Sequence, residues 1–363
     1  MENKNTVEEV YLKKAAKPRL DYLDIAKGIA IFLVVIGHVA NPQDAPYYRM
    51  VIYTFHMPLF FLVSGSLTKR HSHYEKYNLK NLGIFVKKNF FALVVPYIIW
   101  ALIFMPFDIK AVPYLFYGSR WGINKAATNS ALWFLPCLFS SRIIVELLLW
   151  LSTKFKIHRK FFAAIAAAAM FVLAFTLPVP EMQLPWGLSQ APMAAGFILL
   201  GYIFKDTMDL LHKKSILLHS VILASAIIVF VIGVYAVDGL ELVLIVECRY
   251  GDPIRFLCNA VSGCVMVMTV SSLIAKIPEQ SFGDCIHRFL SWLGRSTMGI
   301  YLIHLPIARN LIGPAVENVF SLPKSSFAGG FVSGAVSLVI SCVLVAIIER
   351  YIPQLFGKEL GKP

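Results

Sequence analysis

Asp24, Lys27 and His38 share one apolar stretch, DYLDIAKGIAIFLVVIGH, from Asp21 to His38. Ionisable side chains in a bilayer cost free energy, so they mark pathways or reacting centres. At about 100° per residue, the steps from Lys27 to His38 close to within about 20° of whole turns. Both side chains therefore fall on one helical stripe, roughly 16 Å apart along the axis. Asp24 lies one turn before Lys27, close enough to pair with it. A neutral imidazole, with its pKa near working pH, suits removal of a proton from an attacking hydroxyl. An ammonium suits phosphate. One helix with a cation near one membrane face and an imidazole near the other suggests a site that reaches across the bilayer.

The elements that position these groups follow from composition. The chain has 363 residues, a mean hydropathy of +0.67 and 15% charged residues, against about 25% in soluble domains. This predicts an all-α polytopic membrane protein. Apolar stretches of spanning length run over 21–40, 50–68, 84–105, 131–151, 161–177, 187–204, 216–236, 254–275, 289–308 and 328–348, about ten helices. Pro58, Pro96, Pro136 and Pro192 lie inside spans and predict kinks. With the N-terminus inside, the inner segments carry 23 Lys and Arg against 8 in the outer segments. That bias places both termini in the cytoplasm. It also accounts for the net charge of +13 without nucleic acid, for which no basic soluble domain exists. The expected division is a cytoplasmic tail over 1–18, one membrane domain over 19–350 and a second tail over 351–363. The polar first twenty residues lack a cleavable apolar core, so the first span is expected to act as the signal. The six cysteines form no CxxC pair, so neither a metal site nor a disulfide framework is expected.

This topology puts His38, His56, Trp133, Tyr301 and His304 at the outer ends of four spans, at similar depth. His56 and His304 are candidates to orient His38, to donate to an oxyanion or to bind an acceptor. Each can equally be a packing histidine. Trp133 can stack on a sugar or an acyl arm, or serve as an interfacial aromatic. At the inner ends, Lys27, Lys69, Arg70, Lys87, Lys88 and Arg295 are candidates for phosphate, and Asp24 for neutralising Lys27 or Arg19. The blander reading of the cluster is the positive-inside bias or contact with anionic lipid. Gly65, Gly294 and Gly299 read as close helix crossings.

The motifs LDIAKGIAIFLVVIGH (23–38), TFHMPLFFLVSGSL (54–67), ALWFLPCLF (131–139) and LGRSTMGIYLIHLP (293–306) resemble those of the membrane acyltransferase-3 superfamily. The branch they resemble is that of fucose 4-O-acetylase-like and polysaccharide O-acetyltransferases. The resemblance covers about residues 19–350. Its pattern of a basic residue, ten residues and a histidine falls on Lys27 and His38. It implies acetyl-CoA as a cytoplasmic acyl donor and a hydroxyl of a cell-surface or lipid-linked glycan as acceptor, in the bacterial cytoplasmic membrane. It further implies a basic pair at the start of the third span, where this chain has Lys87-Lys88 followed by Asn89, Phe90 and Phe91. His38 is then the expected catalytic base, acting directly or through an acyl-imidazole. The donor's arm would thread the Asp24–Lys27–His38 stripe. Partners expected are acetyl-CoA, the glycan and membrane lipid, with a homo-oligomer left open. Rival readings are a proton-coupled transporter and a subunit that hands acyl groups to a separate enzyme. No inverted repeat supports the transporter.

Overall fold

The computed structural model describes residues 20–40, 44, 46–68, 79–106, 108–235, 241–278 and 280–357. The described residues form helices joined by turns and loops, with no strand and one isolated antiparallel bridge, Leu244–Arg249. In chain order the helices are α1 (Asp21–Gly37), α2 (Tyr47–Tyr53), α3 (His56–Ser66), α4 (Asn81–Ile103), α5 (Val112–Tyr117), α6 (Arg120–Ala126) and α7 (Phe134–Lys154). There follow α8 (Arg159–Thr176), α9 (Ala191–His212), α10 (Ile216–Tyr235), α11 (Pro253–Ile274), α12 (Asp284–Arg295), α13 (Thr297–Leu305), α14 (Gly313–Phe320) and α15 (Phe327–Tyr351).

Seven helices among the described residues are long and apolar enough to cross a membrane: α4, α8, α10, α11, α15, α7 with its preceding turn from Ser130, and α9 with its preceding turn from Pro185. They coincide with seven of the ten expected spans. The protein is an all-α, multi-pass membrane protein. Exposed apolar side chains such as Leu217, Ile228 and Ile232 on α10 and Val339, Val343 and Ile347 on α15 form its lipid-facing surface.

The other three expected spans are short or broken. The first, α1, has 17 residues. It rises about 26 Å, less than a hydrocarbon core of about 30 Å. The second divides at Thr54 and Phe55 into α2 and α3. Pro58 falls in the first turn of α3, where its missing N–H costs no intrahelical bond. The ninth divides at Ser296 and again at a π-helical turn, Pro306–Ile312. Pro96 follows a second π turn, Phe90–Val94, which absorbs the bond that proline cannot make. Pro136 and Pro192 begin α7 and α9 rather than kinking them.

Lipid tails provide no hydrophobic drive between helices, so close packing must hold the bundle. Glycines do this at two crossings. A Cβ on Gly65 would strike the Ile198 carbonyl of α9, and one on Gly201 would strike the Leu62 carbonyl of α3. In the same way Gly28 of α1 lies against the Leu290 carbonyl of α12, and Gly294 against the Asp24 carbonyl. Helix α1 thus sits in the centre, against α3, α11, α12, α13 and α15. Gly201→Val should overpack the α3–α9 crossing by about 1–3 kcal/mol. Its thermal unfolding in detergent is expected several degrees below wild type, and an unchanged midpoint would contradict the packing described.

Candidate functional site

Helix α1 ends at Gly37, and His38 is its C-cap. The His38 backbone N–H donates to the Val34 and Val35 carbonyls, at 3.1 and 3.2 Å, and its Nδ1 also lies 2.8 Å from the Val34 carbonyl. A carbonyl only accepts, so Nδ1 carries the proton and Nε2 keeps a basic lone pair. His56 and His304 follow the same rule. The His56 Nδ1 donates to the Ile52 carbonyl (2.9 Å), and the His304 Nδ1 to the Tyr301 carbonyl (2.7 Å).

The three imidazoles meet. The rings of His38 and His304 are 5.1 Å apart and edge-on. Tyr53 lies 5.7 Å from His38 and 4.7 Å from His56. His56 and His304 are buried, while His38 is half-buried. His38, Tyr53, His56, Trp133 and Tyr301 line a small recess of about 80 Å³. His304 stands behind His38, with its Nε2 buried and without a hydrogen-bond partner among the described residues. In this tautomer a neutral His56 or His304 accepts at Nε2 and cannot donate there to an oxyanion.

The wall bearing Trp133 is fastened by two side chains. The Tyr301 hydroxyl donates to the Ala131 carbonyl, and the Asn129 amide donates to the Leu302 carbonyl (2.7 Å). Tyr301 therefore positions the Ser130–Trp133 turn. A second wall is the loop 243–247. The Gln190 and Gln183 amides both donate to the Val246 carbonyl, at 2.6 and 3.0 Å. Around it Gln183, Trp186 and Cys248 hold positive φ of 52°, 55° and 55°. Non-glycine residues there cost about 1–3 kcal/mol each and gather at functional sites.

Three arginines complete the recess, and sequence reasoning missed them as site residues. Arg49 comes from α2, with its guanidinium 4.7 Å from the Tyr53 ring centre. Arg120 opens α6, and Arg309 sits in the π turn. Burial lowers the Arg120 pKa from its ordinary value, and the nearby Glu247 opposes that. The guanidinium still stays charged. The signal available was their position in the segments 41–50, 106–130 and 309–327, which are expected on the side poor in Lys and Arg.

The remaining predicted residues lie elsewhere. Lys27 Nζ pairs with Asp24 Oδ1 at 2.6 Å, at the opposite end of α1. Arg295 lines a second cavity with Asp21, His287, Arg288, Ser291 and Trp292. Lys87 and Lys88 are exposed on α4 and line neither cavity. Lys69 and Arg70 fall outside the described residues. Arg142, also within a span, lies 5.7 Å from the Phe85 ring centre. On the stripe between Lys27 and His38, Ala30, Ile31 and Val34 are fully buried, so this conformation has no open groove along it. Among the described residues no cluster of His, Cys, Asp or Glu is arranged to hold a metal ion.

Residues 20–348 match the family profile described as an acyltransferase domain. The chain belongs to the acyltransferase-3 family. It is also similar to nodulation protein NolL of Sinorhizobium fredii (strain NBRC 101917 / NGR234), at 23% identity over 357 residues that cover 87% of each chain. The family match runs from the residue before α1 into α15, so it takes in both ends of α1 and every wall of the recess. The recess presents a basic nitrogen beside three arginine side chains.

The tautomers are directly measurable. Nitrogen-15 NMR of histidine-labelled protein in lipid is expected to show His38 protonated at Nδ1 and unprotonated at Nε2 at neutral pH. The reverse assignment would remove the basic nitrogen from the recess.

Proposed function

We propose that this protein transfers an acetyl group from cytoplasmic acetyl-CoA to a hydroxyl of a cell-surface or lipid-linked glycan, in the bacterial cytoplasmic membrane. The observation that carries the proposal is His38, a partly exposed imidazole with its free Nε2 in a recess lined by hydrogen-bonding groups. Family membership supports acyl transfer. The acetyl donor and the glycan acceptor are this proposal's own additions.

His38 Nε2 takes the proton of the acceptor hydroxyl as that oxygen bonds to the thioester carbonyl carbon. The carbon–sulfur bond then breaks, and the imidazolium returns the proton to the departing thiolate. The products are an acetyl ester and the free thiol of coenzyme A. The Nδ1 bond to Val34 holds the ring in place through both transfers. Trp133 and Tyr53 offer aromatic faces against which a sugar can stack, and the Nε2 atom of His56 can accept from its hydroxyls.

At the other end, Lys27 and Arg295, with Arg288, would receive the donor's phosphates. Asp24 holds Lys27 in place. Lys87 and Lys88 would add to the basic cytoplasmic face. An arm reaching His38 from there must part the packing around Ala30, Ile31 and Val34. Such opening belongs to the microsecond-to-millisecond helix motions that gate many enzymes.

His38→Ala should lower acetyl transfer by about 10²–10⁴-fold while the protein still inserts and purifies as a single species. Transfer at the wild-type rate would exclude the proposed base. Lys27→Ala should raise the KM for acetyl-CoA several-fold and leave the acceptor KM within about twofold, the loss of one charge-assisted contact. Because the change also removes the ion-pair partner of buried Asp24, Asp24→Asn with Lys27→Met serves as the paired control. A rise confined to the acceptor KM would count against the donor's entry from this end.

A further inference from the structure

We infer that the acceptor carries an anionic oxyacid group, a carboxylate or a phosphate, seated among Arg49, Arg120 and Arg309. The inference rests on the acyl-transfer reading for one point only, that the occupant of this recess is the acceptor.

Three guanidiniums reach one recess from three separate elements. Arg49 is 3% exposed. The Nε atoms of Arg120 and Arg309 are buried and have no hydrogen-bond partner among the described residues. Taking such charge out of water is costly unless an anion compensates it. Among the lining residues the one carboxylate is Glu247, and Arg249 already engages it at 2.8 Å. Arg120 and Arg309 therefore keep positive charge that the lining leaves unmatched at their buried Nε atoms.

The reacting oxyanion does not account for this unmatched charge. One or two donors serve an oxyanion hole, whereas three guanidiniums carry about fifteen N–H donors in planar forks. Those forks match carboxylate and phosphate oxygens in pairs. Topology does not account for it either, because positive-inside selection depletes the outer face of such residues. The π turn at Pro306–Ile312 re-aims the chain where Arg309 projects, and π turns recur at functional sites. The anion would lie beside His38, within whose electrostatic reach Arg309 already stands.

The test measures equilibrium binding to the full-length protein in lipid nanodiscs. The probes are methyl glucoside, methyl glucuronide and methyl glucoside 6-phosphate, which share a ring and differ in charge. At least one anionic probe is expected to bind about tenfold or more tighter than the glucoside, the effect of one charge-assisted hydrogen bond. Preference for the glucuronide identifies a carboxylate, and preference for the phosphate identifies a phosphate-bearing carrier. Arg120→Gln and Arg309→Gln should bring the probes to parity, and Arg309→Lys should restore part of the preference. Unfolding midpoints confirm that each variant is folded. Anionic probes that bind no tighter than the glucoside, or do not bind, would overturn the inference. So would displacement of the glucuronide by coenzyme A that is lost in Arg309→Gln, since the arginines would then serve the donor. Acetyl transfer is read separately as release of coenzyme A, so failure of that reading is distinct from failure of this one.

Discussion

The hydrogen bond from His38 Nδ1 to the Val34 carbonyl is the constraint on which the site depends. It fixes the tautomer, orients the ring and leaves Nε2 as the one basic atom. The Val34 carbonyl serves both the His38 backbone N–H and its ring, one lone pair to each. The same device recurs at His56 and His304. At His56 it spans the break between α2 and α3, since the accepting carbonyl belongs to Ile52. At His304 the acceptor is Tyr301, one turn back and just before the π turn.

A bilayer penalises unpaired backbone, so irregular chain is tolerated at depth only where protein or a polar cavity surrounds it. The bundle obeys this rule by division of labour. Seven long apolar helices form the scaffold and meet lipid. The three short or broken stretches carry His38, His56 and His304, and they face one another inside. Their breaks open a recess, and the loop 243–247 and the Ser130–Trp133 turn wall it. Glycine contacts at Gly28 and Gly294 lock α1 to α12, which fixes His38 relative to Arg295 without any bond between them.

The scaffold was legible in the sequence because long apolar runs report directly on membrane spanning. The shared depth of His38, His56, Trp133 and His304 followed from the same reading. The Asp24–Lys27 pair was also legible, since a helix puts residues three apart side by side. The shortness of α1 and the breaks at Phe55 and Ser296 were not, because hydropathy averages over a window and polar pairing of backbone leaves no mark in it. Arg49, Arg120 and Arg309 read as loop cations. Only the folding back of α2, α6 and the π turn over the end of α1 makes them neighbours. The stripe from Lys27 to His38 was seen in sequence as a passage. Its face is instead packed by Ala30, Ile31 and Val34, since periodicity gives direction but not what lies opposite.

One imidazole works for two compartments only if donor and acceptor approach it from opposite sides. Reconstitution in sealed vesicles tests this, with acetyl-CoA confined to the face bearing Lys27 and a glycan acceptor to the face bearing the arginine-lined recess. Acetylated glycan should accumulate in that arrangement and not with acetyl-CoA placed on the recess side alone. Equal transfer with acetyl-CoA on the recess side would contradict the account.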